Sequence, residues 1–156
     1  MSKKYGKRYS NIRECFADNT ERDENGCLVW TRSRNEKGYG IVYHDGRTQR
    51  AHRVMWQLEF GPIPEGCVVD HADCYNHACV EPTHLRLATK AQNQANRAGA
   101  KSATGYRNVY HHSGGYVVVV EKAGVRHGRW HRSLEPALAE AEGLRTELFG
   151  EFAGRG

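Results

Sequence analysis

Between Asp70 and Asn93 the chain gathers the thiols of Cys74 and Cys79, the imidazoles of His71, His77 and His84, the carboxylate of Asp70 and the carboxamide of Asn93. Thiolates and imidazoles suit tetrahedral zinc, whereas carboxylate and carboxamide oxygens suit a hard divalent cation that assists hydrolysis. The stretch therefore reads as a structural zinc clamp beside a hydrolytic metal site.

Zinc needs four ligands, and Cys74-x4-Cys79-x4-His84 supplies three from a loop too irregular to hold itself by packing. The fourth comes from Cys27 or Cys67, with Cys27 preferred because Cys67 heads an apolar run in which a buried thiol is common. The same cysteines could instead be inert buried thiols or a redox bridge. His71, at the end of the apolar strand Cys67-Val68-Val69-Asp70-His71, is the candidate general base. A neutral imidazole can deprotonate water for in-line attack on a phosphodiester if a carbonyl or carboxylate orients its other nitrogen. Asn93 would bring an oxygen ligand to the hydrolytic cation, and Asp70 could add a carboxylate.

Short segments must position these groups. Met1 to Glu24 is polar, with a weak helical hint around Ile12 to Phe16, and little independent structure is expected before Gly26. Runs of β-branched and aromatic residues at Cys27–Trp30 and Tyr39–Tyr43, broken by glycines and by Asp45-Gly46, predict a hairpin or meander. Ala51 to Phe60 has helical spacing and stops at Gly61-Pro62. Cys67–His71 and Leu85–Ala88 predict two paired strands, and Lys90–Arg97 a short helix capped by Thr89. After the small, basic segment around Ala98–Gly105, which reads as a linker, strands are expected at Tyr106–His111, Tyr116–Lys122 and Val125–Arg132. Ser133 should then cap a helix running to Leu148. The expected organisation is a polar extension at 1–25, a first domain at 26–98, a linker at 99–105 and a second domain at 106–152, with α+β architecture throughout.

The 156 residues carry 23 Lys+Arg against 18 Asp+Glu, a net charge of +5, which favours a polyanionic partner. Five cysteines, an odd number, argue for metal ligands over a disulfide framework. The absence of a long apolar run predicts no membrane span and a soluble, cytoplasmic protein.

Taken in order, Ala51-His52-Arg53, Gly61-Pro62-Ile63-Pro64-Glu65-Gly66, Asp70-His71, the Cys74/Cys79 pair, Pro82-Thr83-His84-Leu85 and Asn93 resemble the phage and homing HNH endonucleases of the ββα-metal class. The cysteine loop is also similar to that of the His-Cys box homing endonucleases. The resemblance covers roughly Gly26 to Arg97. It implies that His71 is the general base and that Asn93 is a ligand of catalytic Mg²⁺ or Mn²⁺. It further implies that Cys27, Cys74, Cys79 and His84 hold structural Zn²⁺ and that Arg53 lies near the scissile phosphate. One departure stands out: Ala72 and Asp73 both separate the histidine from the first loop cysteine, where the families usually place a single residue. A bulge at Ala72-Asp73 is expected to keep His71 turned toward the site, with His77 as an alternative base. His84 aligns with the middle Asn of HNH enzymes that lack the cysteines.

Gly105-Tyr106-Arg107-Asn108-Val109, the strand Tyr116–Val120, Gly128-Arg129-Trp130 and the Ala-rich helix ending Leu148-Phe149-Gly150 resemble an AP2-type DNA-binding domain, over Thr104 to about Phe152. The resemblance implies a three-stranded sheet that enters the major groove, with Arg107, Arg126, Arg129, Trp130 and Arg132 as DNA contacts. A solvated basic sheet packed by aromatics is the plainer alternative. The combined expectation is a zinc-stabilised ββα-metal nuclease domain followed by an AP2-like sheet-and-helix domain. It would cleave or nick double-stranded DNA with a divalent cation, as a phage-encoded free-standing or homing enzyme, and homodimerisation is left open. A catalytically silent, zinc-containing DNA-binding regulator is the alternative, and a structure-specific or RNA-directed nuclease a third.

Overall fold

The computed structural model describes residues 9–72, 74–96 and 102–154. It divides into two compact units, Met1–Leu87 and Ala88–Gly156. That boundary lies ahead of the expected linker at 99–105, of which 99–101 fall outside the described residues.

In the first unit, α1 (Ile12–Asp18) begins at Asn11, whose side chain accepts from the Glu14 backbone N–H and so satisfies one of the open donors of the first turn. It directs Cys15 and Phe16 inward. The segment expected to lack structure is therefore part of the core. β1 (Thr20–Arg22) pairs antiparallel with β2 (Leu28–Trp30), so β2 does not pair with the Tyr39–Tyr43 run as expected. The core is built on Trp30, 1% exposed, with Phe16 at 5.1 Å between ring centroids and Val42, Ala51, Val54, Met55 and Val80 around them. Gly40 is required there, since a Cβ would lie 2.7 Å from a Trp30 ring carbon. Removing the Trp30 ring would cost about 3–5 kcal/mol, the usual range for emptying such a site.

β3 (Ile41–His44) and β4 (Arg47–Arg50) form a hairpin closed by Asp45-Gly46, both at positive φ, the geometry that matches the twist of the two strands. Arg50, extended and making no side-chain cap bond, leads into α2 (Ala51–Phe60), which buries Ala51, His52, Val54 and Met55 and ends at Gly61, where φ is +89° and Pro62 follows. β5 (Cys67–His71) pairs with β6 (Leu85–Thr89) after the 3-10 turn Pro82–His84.

In the second unit, α3 (Lys90–Asn96) starts with a reciprocal cap: Thr89 N–H donates to the Gln92 side chain, and Gln92 N–H donates to Thr89 Oγ1. The sheet is β7 (Val109–His112), β8 (Gly115–Val118) and β11 (Trp130–His131), with β8 central. β9 (Val120–Lys122) and β10 (Val125–His127) form a separate hairpin. Two expected strands are thus each broken in two. At Val119 the chain is taken by Asn108, whose side chain donates to the Val119 carbonyl while its own carbonyl accepts from Val119 N–H. At Gly128, φ is +127° and a Cβ would lie 2.2 Å from the Val118 carbonyl oxygen. α4 (Leu134–Phe149) begins after Ser133, whose side chain makes no cap bond, and packs Ala137 and Ala141 on Val109, Val118 and Val120.

Candidate metal centre and catalytic histidine

β2 explains how a loop distant in sequence reaches Cys27. Its second edge binds the cysteine loop: Trp30 N–H donates to the Ala78 carbonyl, Val80 N–H donates to the Leu28 carbonyl, and Val29 bridges Cys79. This sets Cys79 beside Cys27, which precedes the strand. Glu81 accepts from Thr83 N–H to start the turn that carries His84, and Arg22 of β1 pairs with Glu81 at 2.9 Å. The result is that Cys27, Cys74, Cys79 and His84 place one ligand atom each within 4.8 Å of all the others. Cys67 is outside this group, so Cys27 is its fourth member.

The donor set fits a zinc ion. His84 Nδ1 lies 3.6 Å from both Cys27 Sγ and Cys79 Sγ. With Zn–S about 2.3 Å and Zn–N about 2.05 Å, tetrahedral geometry separates sulfur and nitrogen by about 3.5 Å. The electrostatics agree. Hydrogen bonding from Cys79 lowers the Cys74 thiol to about 5, while Cys79 is raised by that same partnership and by burial, and Cys27 is raised mainly by burial. Three thiols this close resist ionising together unless a cation compensates them.

The next group of side chains adjoins this cluster. His71 is 6% exposed, and its Nε2 lies 3.0 Å from the Cys79 carbonyl oxygen. A carbonyl only accepts, so Nε2 carries the proton and Nδ1 carries the basic lone pair. Burial lowers the His71 pKa, with the Cys79 bond opposing it, so the ring is neutral at neutral pH. The ring lies 4.9 Å from that of His52 and 6.2 Å from that of Tyr39, which stacks on His77 at 4.3 Å. His52, 2% exposed, is lowered to about 2 by burial first and then by His71, Arg50 and Arg53, and its Nδ1 has no hydrogen-bond partner among the described residues. Asp70 points elsewhere than His71, as strand alternation requires, and pairs with Arg86 at 3.2 Å. The expected bulge involves Asp73, which lies outside the described residues.

Arg53, half-buried on α2, meets no carboxylate among the described residues. Asn93 lies on α3 of the second unit, half-buried. His77 is exposed and its Nδ1 contacts the Lys37 carbonyl oxygen at 2.6 Å, which engages the alternative base. Tyr39, Arg50 and His52 were not read from the sequence as site residues. The His52-Arg53 pair opening a helix was the available signal, but burial and ring contacts appear only in three dimensions.

In the second unit the proposed DNA contacts separate. Arg107 departs from expectation: its guanidinium donates to the backbone carbonyls of Ala153 and Ala95 and ties the end of the chain to α3. Arg126 pairs with Glu121 at 3.4 Å and Arg129 with Glu140 at 3.3 Å, both as highly exposed arginines whose pairs are weak. Trp130 is 47% exposed, with its indole N–H on the His112 carbonyl and its ring over Gly115. In register, Tyr110, Val117 and Trp130 form one row across the sheet, and Val109 and Val118 in the adjacent row are buried. Arg132 is exposed beyond that row. Tyr110, 43% exposed, is a member the sequence reading missed.

Residues 49–95 match the family described as HNH endonuclease. The chain is 39% identical to Protein 7.7 of Escherichia phage T7 over 67 residues, 43% of this chain and 51% of that protein. It is 34% identical over 120 residues to an uncharacterized HNH endonuclease of Acanthamoeba polyphaga mimivirus, 76% of this chain and 62% of that one. Protein 2.8 of phage T7 is 31% identical over 99 residues, which cover 62% of this chain and 67% of that protein. The chain thus spans between half and two thirds of the first two of these relatives. No solved structure matches.

Proposed function

We propose, on the strength of the HNH endonuclease match over residues 49–95, that the chain cleaves or nicks double-stranded DNA by metal-assisted hydrolysis of a phosphodiester, as a phage-type enzyme. The observation that carries this reading is the buried, neutral His71, whose Nε2–H is fixed on the Cys79 carbonyl. With that nitrogen committed, Nδ1 accepts the proton of the attacking water. A divalent cation bound through oxygen donors, with Asn93 carried over from the family resemblance and Asp70 offered by its carboxylate, would stabilise the charge that develops on the leaving oxygen. Because Asp70 is paired with Arg86, its service as a ligand requires sharing its carboxylate.

Zinc, held by Cys27, Cys74, Cys79 and His84, has a structural role in this reading. Four protein ligands close the site, leaving no position for substrate. Arg53, near His52 and without a carboxylate partner, is the basic group for the reacting phosphate. The second unit binds DNA through the sheet row that carries Tyr110 and Trp130 together with the exposed Arg132 that follows β11, in the manner of an AP2-like domain. No described helix is long and apolar enough to cross a membrane.

Purified protein incubated with supercoiled plasmid, with and without Mg²⁺ or Mn²⁺, tests the activity. Conversion to nicked or linear product only with the cation supports it. DNA binding without conversion under any divalent cation would favour the silent regulator.

A further inference from the structure

Among the arginines of the first unit, Arg13, Arg22 and Arg86 pair with Glu59, Glu81 and Asp70, and Arg34 donates to the Trp30 carbonyl. Arg47, Arg50 and Arg53 meet no carboxylate among the described residues, and the first turn of α2 contains no acidic residue. Arg50 is nevertheless held in place. Its guanidinium carbon lies 4.6 Å above the centroid of the Tyr39 ring. The His77 ring is parallel to Tyr39 within 8° at 4.3 Å. Two groups at those distances cannot share one face, so Tyr39 is sandwiched between His77 and Arg50. His77 is in turn fixed by its contact with the Lys37 carbonyl oxygen.

We propose that Arg50, seated on Tyr39, grips a DNA backbone phosphate neighbouring the one presented to His71. The proposal rests on the nuclease reading above. A guanidinium lying on an aromatic ring spends its face on the ring and keeps the N–H edge for two parallel bonds to phosphate oxygens. Ordering it beforehand removes part of the entropy cost of binding. The Tyr39 ring that seats Arg50 at 4.6 Å also lies 6.2 Å from the His71 ring, so one aromatic ring neighbours both the guanidinium and the reacting centre. Phosphates recur every 3.4 Å or so of helix axis along one strand, which brings an adjacent phosphate within its reach. Its contribution is therefore to affinity and strand placement, whereas Arg53 and His71 serve the reacting group.

The test uses the full chain and its Arg50→Ala, Arg50→Lys and Tyr39→Leu variants, with duplex DNA binding and plasmid nicking measured across a salt series. Zinc content and circular dichroism report whether each variant is folded. For Arg50→Ala the proposal expects Kd and KM to rise about tenfold, with the loss falling on these rather than on kcat. The slope of log affinity against log salt should fall by about 1, one phosphate contact's worth. Arg50→Lys should keep that slope but bind more weakly, because an ammonium lacks the planar seat. Tyr39→Leu should resemble Arg50→Lys. Unchanged Kd and salt slope in folded Arg50→Ala, with a parent that cuts DNA, would overturn this proposal and leave the nuclease reading standing. A parent that binds DNA but does not cut would overturn that reading instead, and the salt slope would still decide the phosphate contact.

Discussion

His71 Nε2 donates to the carbonyl oxygen of Cys79, so one residue presents its sulfur to the metal cluster and its backbone to the candidate base. The candidate metal cluster and the candidate base are therefore not independent. Whatever shifts the Cys79 backbone also shifts the acceptor that fixes the His71 tautomer.

This coupling predicts the behaviour of the cysteine variants. Cys74→Ser and Cys79→Ala should lose bound zinc and cooperative unfolding of the first unit, because metal affinity in such sites is part of the folding free energy. Cys67→Ser should retain one zinc per chain, since Cys67 lies outside the cluster. Elemental analysis of the purified proteins checks both. A parent without zinc, or a Cys67 variant that loses it, would contradict the assignment.

His52 predicts a pH dependence of stability. Its folded pKa is depressed from 6.5 to about 2, so above pH 6.5 both folded and unfolded forms are neutral and there is no penalty. Below that, the unfolded chain binds a proton that the folded one refuses, and stability falls as pH falls, by up to about 1.4 kcal/mol per pH unit for one such group. His52→Phe should remove one proton from the uptake on unfolding between about pH 6.5 and 4. Denaturant titrations of parent and variant across that range measure the difference, and parallel pH profiles would refute the buried neutral state.

Gly40→Ala should destabilise the first unit by about 1–3 kcal/mol, the usual cost of forcing an atom into a packed core. The added carbon would meet the Trp30 ring. Thermal unfolding of the variant beside Gly38→Ala, whose Cβ would meet only His77 at 3.8 Å, separates the clash from the positive-φ strain at Gly38.

On the second unit, Trp130→Ala and Arg132→Ala should weaken DNA binding while leaving α4 packed. Arg107→Ala should instead lower thermal stability, because its guanidinium holds the Ala153 and Ala95 carbonyls. Gel-shift affinities and melting temperatures for the three variants sort the two roles, and equal effects on both quantities would contradict the division.

The sequence was most legible where spacing alone decides structure. The helix over Ala51–Phe60, the strand Cys67–His71 and the thiol and imidazole spacing of Cys74, Cys79 and His84 are set by short-range pattern, and the structure places them as read. It was least legible where tertiary contacts decide. α1 lies in a polar segment whose two inward residues, Cys15 and Phe16, give too weak a period to read. β2 has partners on both edges, and no local signal distinguishes a strand paired to β1 from one paired to β3. The breaks at Val119 and Gly128 depend on the Asn108 side chain and on the approach of the Val118 backbone. Arg107 reads as a DNA contact by type and is a structural clamp by position.

The most direct test of the account is plasmid cleavage by zinc-loaded parent, His71→Ala and Asn93→Ala, assayed with Mg²⁺ or Mn²⁺ at one salt concentration beside their DNA affinities. The account predicts that His71→Ala loses about 10²–10⁴-fold in rate, the usual contribution of a general base, with zinc and Kd retained. Asn93→Ala should also keep zinc and fold while losing cation-dependent cleavage. A folded, zinc-bound His71→Ala that cuts plasmid at the parent rate would contradict the account.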